Sequence, residues 1–216
     1  GVFDGNYHTI SGLYVEATSQ NMGLFGVVQG GTVKNLVVQG QVKGTSYVGG
    51  VVARLKGGSL VNCGNQADVS GGSYVGGVVG YGEGTAVVEG CYNQGHITGT
   101  TGYIGGVIGT LWGSQTAKNC YNSGTVTGPA TVGGVLGGHR ARSPILENCY
   151  NAGTVENSGS RVNNHGSVIG AQGTAVNCYD LSGSSYAGVG FTGAEVNKVS
   201  SLAASQLSSA FVDGTG

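Results

Sequence analysis

The amino-acid sequence predicts an all-β fold, a parallel β-helix (β-solenoid) with about three short strands per coil, right-handed by the rule for parallel crossovers, and three observations carry the solenoid expectation. The five cysteines, Cys63, Cys91, Cys120, Cys149 and Cys178, are separated by 28, 29, 29 and 29 residues, and Leu36 fills the same slot 27 residues before the first. A fixed period between about 20 and 50 residues marks a solenoid, a propeller or an array. Upstream of the slots an apolar pair is followed by a small residue, as in Val51-Val52-Ala53, Val78-Val79-Gly80, Val107-Ile108-Gly109 and Val135-Leu136-Gly137, and each of these four follows a Gly pair. Composition agrees: Gly is 46 of 216 residues, Pro only 2 and charged residues 9%, while 39% hydrophobic residues remain to be buried. An average chain is about 25% charged, and this balance fits neither collagen nor a disordered linker.

A propeller blade needs about four strands in ~40 residues, more than this unit holds. Gly and Val at this density disfavour helical repeats. Taken in order, a capping first turn is expected, followed by about six coils. Each coil carries one strand on the apolar pair, one entering the Cys slot and one on "G-x-V-x-G", as at Gly95–Gly99, Gly124–Gly128 and Gly153–Asn157. Successive coils would rise by ~4.8 Å, each strand pairing in parallel with its equivalents. Three residues before the slot stand Val33, Leu60, Val88, Ala117, Leu146 and Ala175, all apolar like the slot itself. Two inward residues three apart break strict alternation and demand a bend. The residue just before the slot is Asn35, Asn62, Gly90, Asn119, Asn148 or Asn177, types that tolerate left-handed backbone. Two places after the slot come Asn65, Asn93, Asn122 and Asn151, with Asp180 last, which predicts a stacked amide ladder. Residues from about Ser201 to Phe211 are expected to form a short helix, because Ala203, Leu207, Ala210 and Phe211 fall on one face, dividing the chain into a β-helix over 1–200 and a cap or tail over 201–216.

Bulk properties narrow the partners. A net charge of −1 with nine scattered Lys and Arg residues gives no electrostatic footprint for nucleic acid. No stretch reaches the ~20 apolar residues of a membrane span, and the opening "GVFDGNYHTI" has no basic or apolar signal region, so the chain reads as a mature fragment of something longer.

Among residues that could carry chemistry, the cysteines are expected to be reduced and inward. Their number is odd, and in-register parallel strands hold Cβ vectors side by side, a poor match to disulfide torsion. The CxxC spacing of a zinc site is missing, and no metal or other cofactor is expected. The candidate binding residues are Tyr92, Tyr121, Tyr150 and Tyr179, which follow the Cys slot and point outward if Cys points inward. A second set, Tyr47, Tyr74 and Tyr103, precedes the Gly pairs and gives way to Thr131. Such stripes either stack on a ligand or clad neighbouring coils, and the cladding alternative is favoured. Lys34, Val61, Glu89, Lys118, Glu147 and Val176 form an outward charge column. A lyase would need acids clustered across rungs, yet Asp68 is followed in its column by His96, Thr125 and Thr154. His8, His96, His139 and His165 share no column, and only one coil pairs Thr at both flanks of its "G-x-V-x-G" valine, too ragged a rank for ice binding. "GHRARSP", Gly138 to Pro144, is the one basic loop and lengthens its coil.

"VGGVVG" followed by "NCYNxGxV" resembles the GLUG-type repeat of large bacterial surface proteins, including the non-catalytic repeats of some IgA1-specific metallopeptidases. The opening "GVFDGNYHTISGL" is similar to the first coil of such β-helices, and "SSLAASQLSSAFVDG" to the segment that ends them. Gly64 and Val37 depart from the Tyr column in the first two coils. The resemblance implies a bacterial cell-surface or secreted location and a scaffold rather than a shared activity. The expected function is a non-enzymatic structural or adhesive repeat module. A carbohydrate-binding module using the Tyr columns and a glycan-active, polysaccharide lyase-like enzyme or its remnant are the alternatives. The partners in view are a host or cell-wall glycan or a surface protein.

Overall fold

A computed structural model describes residues 1–113, 115–139, 145–160, 164–181, 185–187, 190 and, as backbone, 199–202. The path of one coil runs through Ser59–Asn65, Asp68–Gly76 and Val79–Glu83. One level on, the same path is Val87–Glu89, Tyr92–Asn93, Ile97–Gly105 and Ile108–Trp112. Each strand pairs in parallel with its equivalent, as Leu60 with Val88, Gly64 with Tyr92, Val69 with Ile97 and Val79 with Ile108. The strands after the apolar pairs stack into a six-stranded sheet, and the others form a second, bent sheet. The result is a parallel β-solenoid of about six coils, with no helix among the described residues.

Left-handed residues set where the path bends. Asn35, Asn62, Asn119, Asn148 and Asn177 have φ of 54°, 53°, 54°, 54° and 49°, and Gly90 62°. The bend lets both the slot and the residue three before it face inward, so Leu60, Val88, Ala117 and Leu146 are buried beside the Cys column. A second left-handed column was not legible in the sequence: Asn21, Tyr47, Tyr74, Tyr103 and Thr131, with φ between 49° and 60°. Bulky and β-branched residues rarely sit there, at a cost of about 1–3 kcal/mol each. These positions turn the chain into the Gly pairs.

The cross-section has two apolar lobes. One is built from the apolar pairs, the Cys column and the residues three before it. The other stacks Val42, Val69, Ile97 and Val126 against Val48, Val75, Ile104 and Val132. Between them lies a narrow waist of Asn and Gly. A Cβ on Gly77 would stand 2.4 Å from Asn93 Oδ1, and one on Gly106 2.4 Å from Asn122 Cγ. The Gly pairs therefore recur because the amide column fills the space a side chain would need. Asn65 Nδ2 donates to Asn93 Oδ1 at 2.7 Å, Asn93 to Asn122 at 2.7 Å and Asn122 to Asn151 at 2.8 Å. Each Nδ2 also donates to the carbonyl two residues on, and each Oδ1 accepts from that residue's N–H. The column ends at buried Asp180, whose carboxylate accepts from the Ser167 hydroxyl.

Extra residues collect at corners. Gly57-Gly58 joins Lys56 to Ser59, but three residues, Gly84 to Ala86, make the same corner in the next coil. Val2–Glu16 forms the first coil, paired with Thr32–Lys43 across two register shifts. At the other end, Ser201 and Leu202 are not helical: they close the strand Val199–Leu202, pairing with Asp180 and Leu181 because extended backbone continues the ladder. The rest of the expected C-terminal helix lies outside the described residues, as does most of the Gly138 to Pro144 loop.

Candidate functional site

All five thiols are free and buried. Each donates weakly to the carbonyl two residues before it, from 3.1 Å at Cys120 to 3.4 Å at Cys63, Cys91, Cys149 and Cys178. Burial pushes the Cys91 and Cys149 thiols well up from their ordinary range, which keeps them protonated and unreactive. The charge column pairs Lys34 with Asp4 at 3.1 Å and Lys118 with Glu147 at 2.7 Å.

The Tyr stripe forms in register. Tyr92 and Tyr121 stack at 5.2 Å and 7°, Tyr121 and Tyr150 at 5.0 Å and 6°, and Tyr179 pairs with Tyr150 on the backbone. Gly64 is a platform rather than a gap, since a Cβ there would stand 2.2 Å from Tyr92 Cζ. Burial, with the neighbouring phenols adding, pushes Tyr121 up to about 12, and burial raises Tyr92 and Tyr150. The stripe runs between exposed amide ladders: Asn148 donates to Asn119 at 3.4 Å on one side, and Gln66 to Gln94 at 2.7 Å on the other. Stacking at these separations turns ring faces toward each other, leaving edges and hydroxyls outward along the middle of the stripe.

The second Tyr set gathers residues that sequence reasoning did not connect. Tyr47 and Tyr74 stack at 5.0 Å, and Tyr74 and Tyr103 at 5.5 Å. Tyr81 meets Tyr47 and Tyr74 edge-on, and the Arg54 guanidinium lies 5.3 Å from the Tyr47 ring centre and 5.4 Å from that of Tyr81. Arg54 also pairs with Glu83 at 3.1 Å. Burial, then the Glu83 charge, pushes Tyr81 up to about 12. Arg54 and Tyr81 are adjacent in register, a relation that appears only once the six-stranded sheet is aligned.

Two grooves lie at the corners. One, of about 410 Å³, crosses three coils at Lys43, Thr45, Ser70, Thr98 and Thr100. The other, of about 340 Å³, sits where Gly84 to Ala86 widen the turn, and is lined by Val87, Glu89, Gln115, Thr116 and Lys118 among others. Near it the only Trp of the chain, Trp112, is 41% exposed. A lone Trp where the repeat gains a residue was the available signal. His139 accepts from the Gly113 N–H at 3.2 Å through Nε2, and burial lowers its pKa, favouring the neutral ring. Among the described residues no group of three His, Cys, Asp or Glu is placed to hold a metal ion.

These features define a parallel β-helix repeat protein, and comparison supplies the kind of repeat. Residues 71–98 match the GLUG motif. That span covers the Gly71–Gly77 turn, the apolar pair and the slot at Cys91, and the neighbouring coils carry the same unit in register. The fold is similar to the crystal structure of a Bacteroides ovatus protein provisionally named an immunoglobulin A1 protease, with a TM-score of 0.84 and 22% identity over 98% of this chain and 72% of that one. Comparison with curated proteins finds no match.

Proposed function

We propose that this chain is a non-catalytic structural or adhesive β-helix module of a secreted or surface-exposed bacterial protein, with the structural role carried by its own geometry. The observation that carries the reading is that the repeated side chains bond to the coil above or below. The Asn column closes its own hydrogen bonds, the thiols donate to nearby carbonyls and the tyrosines stack on one another. A periodic surface spent this way builds a rod with self-supporting levels. The GLUG motif and the structural likeness to the Bacteroides ovatus protein support a place within a larger assembly of that kind.

The test replaces Tyr121 and Tyr150 together by Ser. Aromatic pairs contribute about 1 kcal/mol beyond area, and in a chain of this length 1 kcal/mol shifts Tm by roughly 2–4 °C. The expected result is a Tm lower by several degrees, with any glycan or immunoglobulin binding by the folded fraction unchanged and no cleavage of IgA1 by the wild-type chain. Loss of binding at unchanged Tm would make the stripe a binding surface instead. Cleavage of IgA1 would end the non-catalytic reading.

A further inference from the structure

Among the described residues four buried side-chain atoms have no hydrogen-bond partner, Asn21 Oδ1, Arg54 Nε, His165 Nδ1 and Gln115 Oε1, and of these Gln115 lines the groove at the widened corner. Gln115 is 3% exposed, and its Nε2 donates to Trp112 O at 2.8 Å and Gly84 O at 3.1 Å. Those two carbonyls fix the amide orientation, because a flipped amide would set oxygen against oxygen. Its Oε1 is buried and has no hydrogen-bond partner among the described residues. A buried acceptor left alone is costly, and in a groove it points to a donor that comes from outside.

We propose that this groove binds one ring of a neutral glycan, with Gln115 Oε1 accepting a hydroxyl hydrogen and Glu89 a second. At about 340 Å³ the cavity is at the small end of ligand pockets, which run from about 300 to 1,000 Å³. Its polar side chains are Thr85, Glu89, Gln115, Thr116 and Lys118, and the two acceptors, Gln115 Oε1 and the Glu89 carboxylate, suit a diol. Lys118 is engaged by Glu147 at 2.7 Å, and Glu89 repels anions, so acidic sugars and phosphates are disfavoured. The apolar face of the ring meets Val87, 41% exposed on the groove wall. Ile145, 40% exposed, extends that wall one level on, in register with Thr116. Trp112, 41% exposed, is tied to the site through its backbone carbonyl, which accepts from Gln115 Nε2, so its indole serves as a nearby reporter. This goes beyond a self-satisfied scaffold, since a rod that only spaces would bind nothing here.

Trp112, the single Trp, makes the test direct. The intact chain is titrated with cellohexaose, laminarihexaose and mannohexaose, and with a heparin hexasaccharide and an uncharged Ser-Thr-Ala hexapeptide, following Trp emission and saturation-transfer NMR. The expected result is a change in emission with at least one neutral hexaose at a Kd near about 1 mM. Gln115→Leu should weaken it at least tenfold, and so should Val87→Arg, an exposed substitution that stays folded if the amide variant does not. Tyr121→Ser/Tyr150→Ser should leave it unchanged. No response to any neutral hexaose up to about 10 mM, a response only to heparin or the peptide, or wild-type affinity in Val87→Arg would each overturn the site. Sugar hydrolysis in the same mixtures would instead count against the non-catalytic reading and leave the site standing.

Discussion

The slot after each left-handed bend is buried and apolar, filled by Leu36 in one coil and by cysteine in the next five, where the thiol can also donate. The thiol reaches back to the carbonyl two residues earlier, at 3.1 Å for Cys120, and onward to Val88 O one coil away at 3.8 Å. Native labelling by a thiol reagent should therefore be slow at all five positions, with five equivalents released on denaturation. Two disulfides and one free thiol would contradict the column. The tyrosines give a pH dependence of definite sign. Tyr121 and Tyr81 are pushed to about 12 from 10.0, so the folded state keeps protons that the unfolded chain gives up. Their contribution is fully present below pH 10 and is lost as pH rises toward 12. Melting across that window, with phenolate absorbance followed in parallel, should show Tm falling before these rings ionise in the folded fraction. Asn before the slot was legible because Asn tolerates positive φ. Tyr47, Tyr74 and Tyr103 were not, because nothing in a Tyr announces a left-handed residue whose ring stacks on that of a neighbouring coil.

At the scale of the element, the waist couples two sequence signals that look independent. The Gly pair and the Asn two places after the slot lie apart along the chain, yet the Gly106 position and the Asn122 amide occupy one space. Asn122→Ala removes an acceptor from Asn93 and a donor from Asn151, and strips the Gly124 backbone of both side-chain partners. It should cost about 3 kcal/mol in denaturant unfolding, whereas Gln66→Ala, in an exposed amide ladder, should stay within ~0.5 kcal/mol. Gly106→Ala puts a methyl 2.1 Å from Gly134 O and should cost at least as much as Asn122→Ala. The slot spacing exposed the coils but concealed their corners. Its three successive values of 29 sum different insertions: Gly99 to Gly102 contains a register shift in one coil, while in a later one the three residues 129–131 become the seven residues 158–164 and the following corner shortens. The groove at Gln115 arises from such an insertion, so a period alone could not place it.

For the whole molecule, stability follows from levels bonded to levels. Each coil pairs in parallel with one above and one below, and its Asn, Cys and Tyr columns run the same way, so free energy divides into terms within a coil and between neighbours. End coils lack one set of neighbours. The first, Val2–Glu16, leaves Val2 69%, Tyr7 73% and Tyr14 69% exposed, and its inward Phe3 is still 41% exposed. The centre differs: Val79, Ile108 and Leu136 are fully buried and the amide ladder runs unbroken from Asn65 to Asn151. Native-state hydrogen exchange should therefore be slowest in Val79–Glu83 and Ile108–Trp112, opening only with global unfolding, and should fall toward the ~0 kcal/mol of frayed ends in Val2–Glu16. Asn122→Ala sharpens the test, because it weakens the link between central levels without touching the ends. In that variant Val79–Glu83 and Ile108–Trp112 should lose protection while Val2–Glu16 stays as it was. Equal protection in all coils of the wild type would mean the rod opens as one unit, and the level-by-level account of its stability would have to be abandoned.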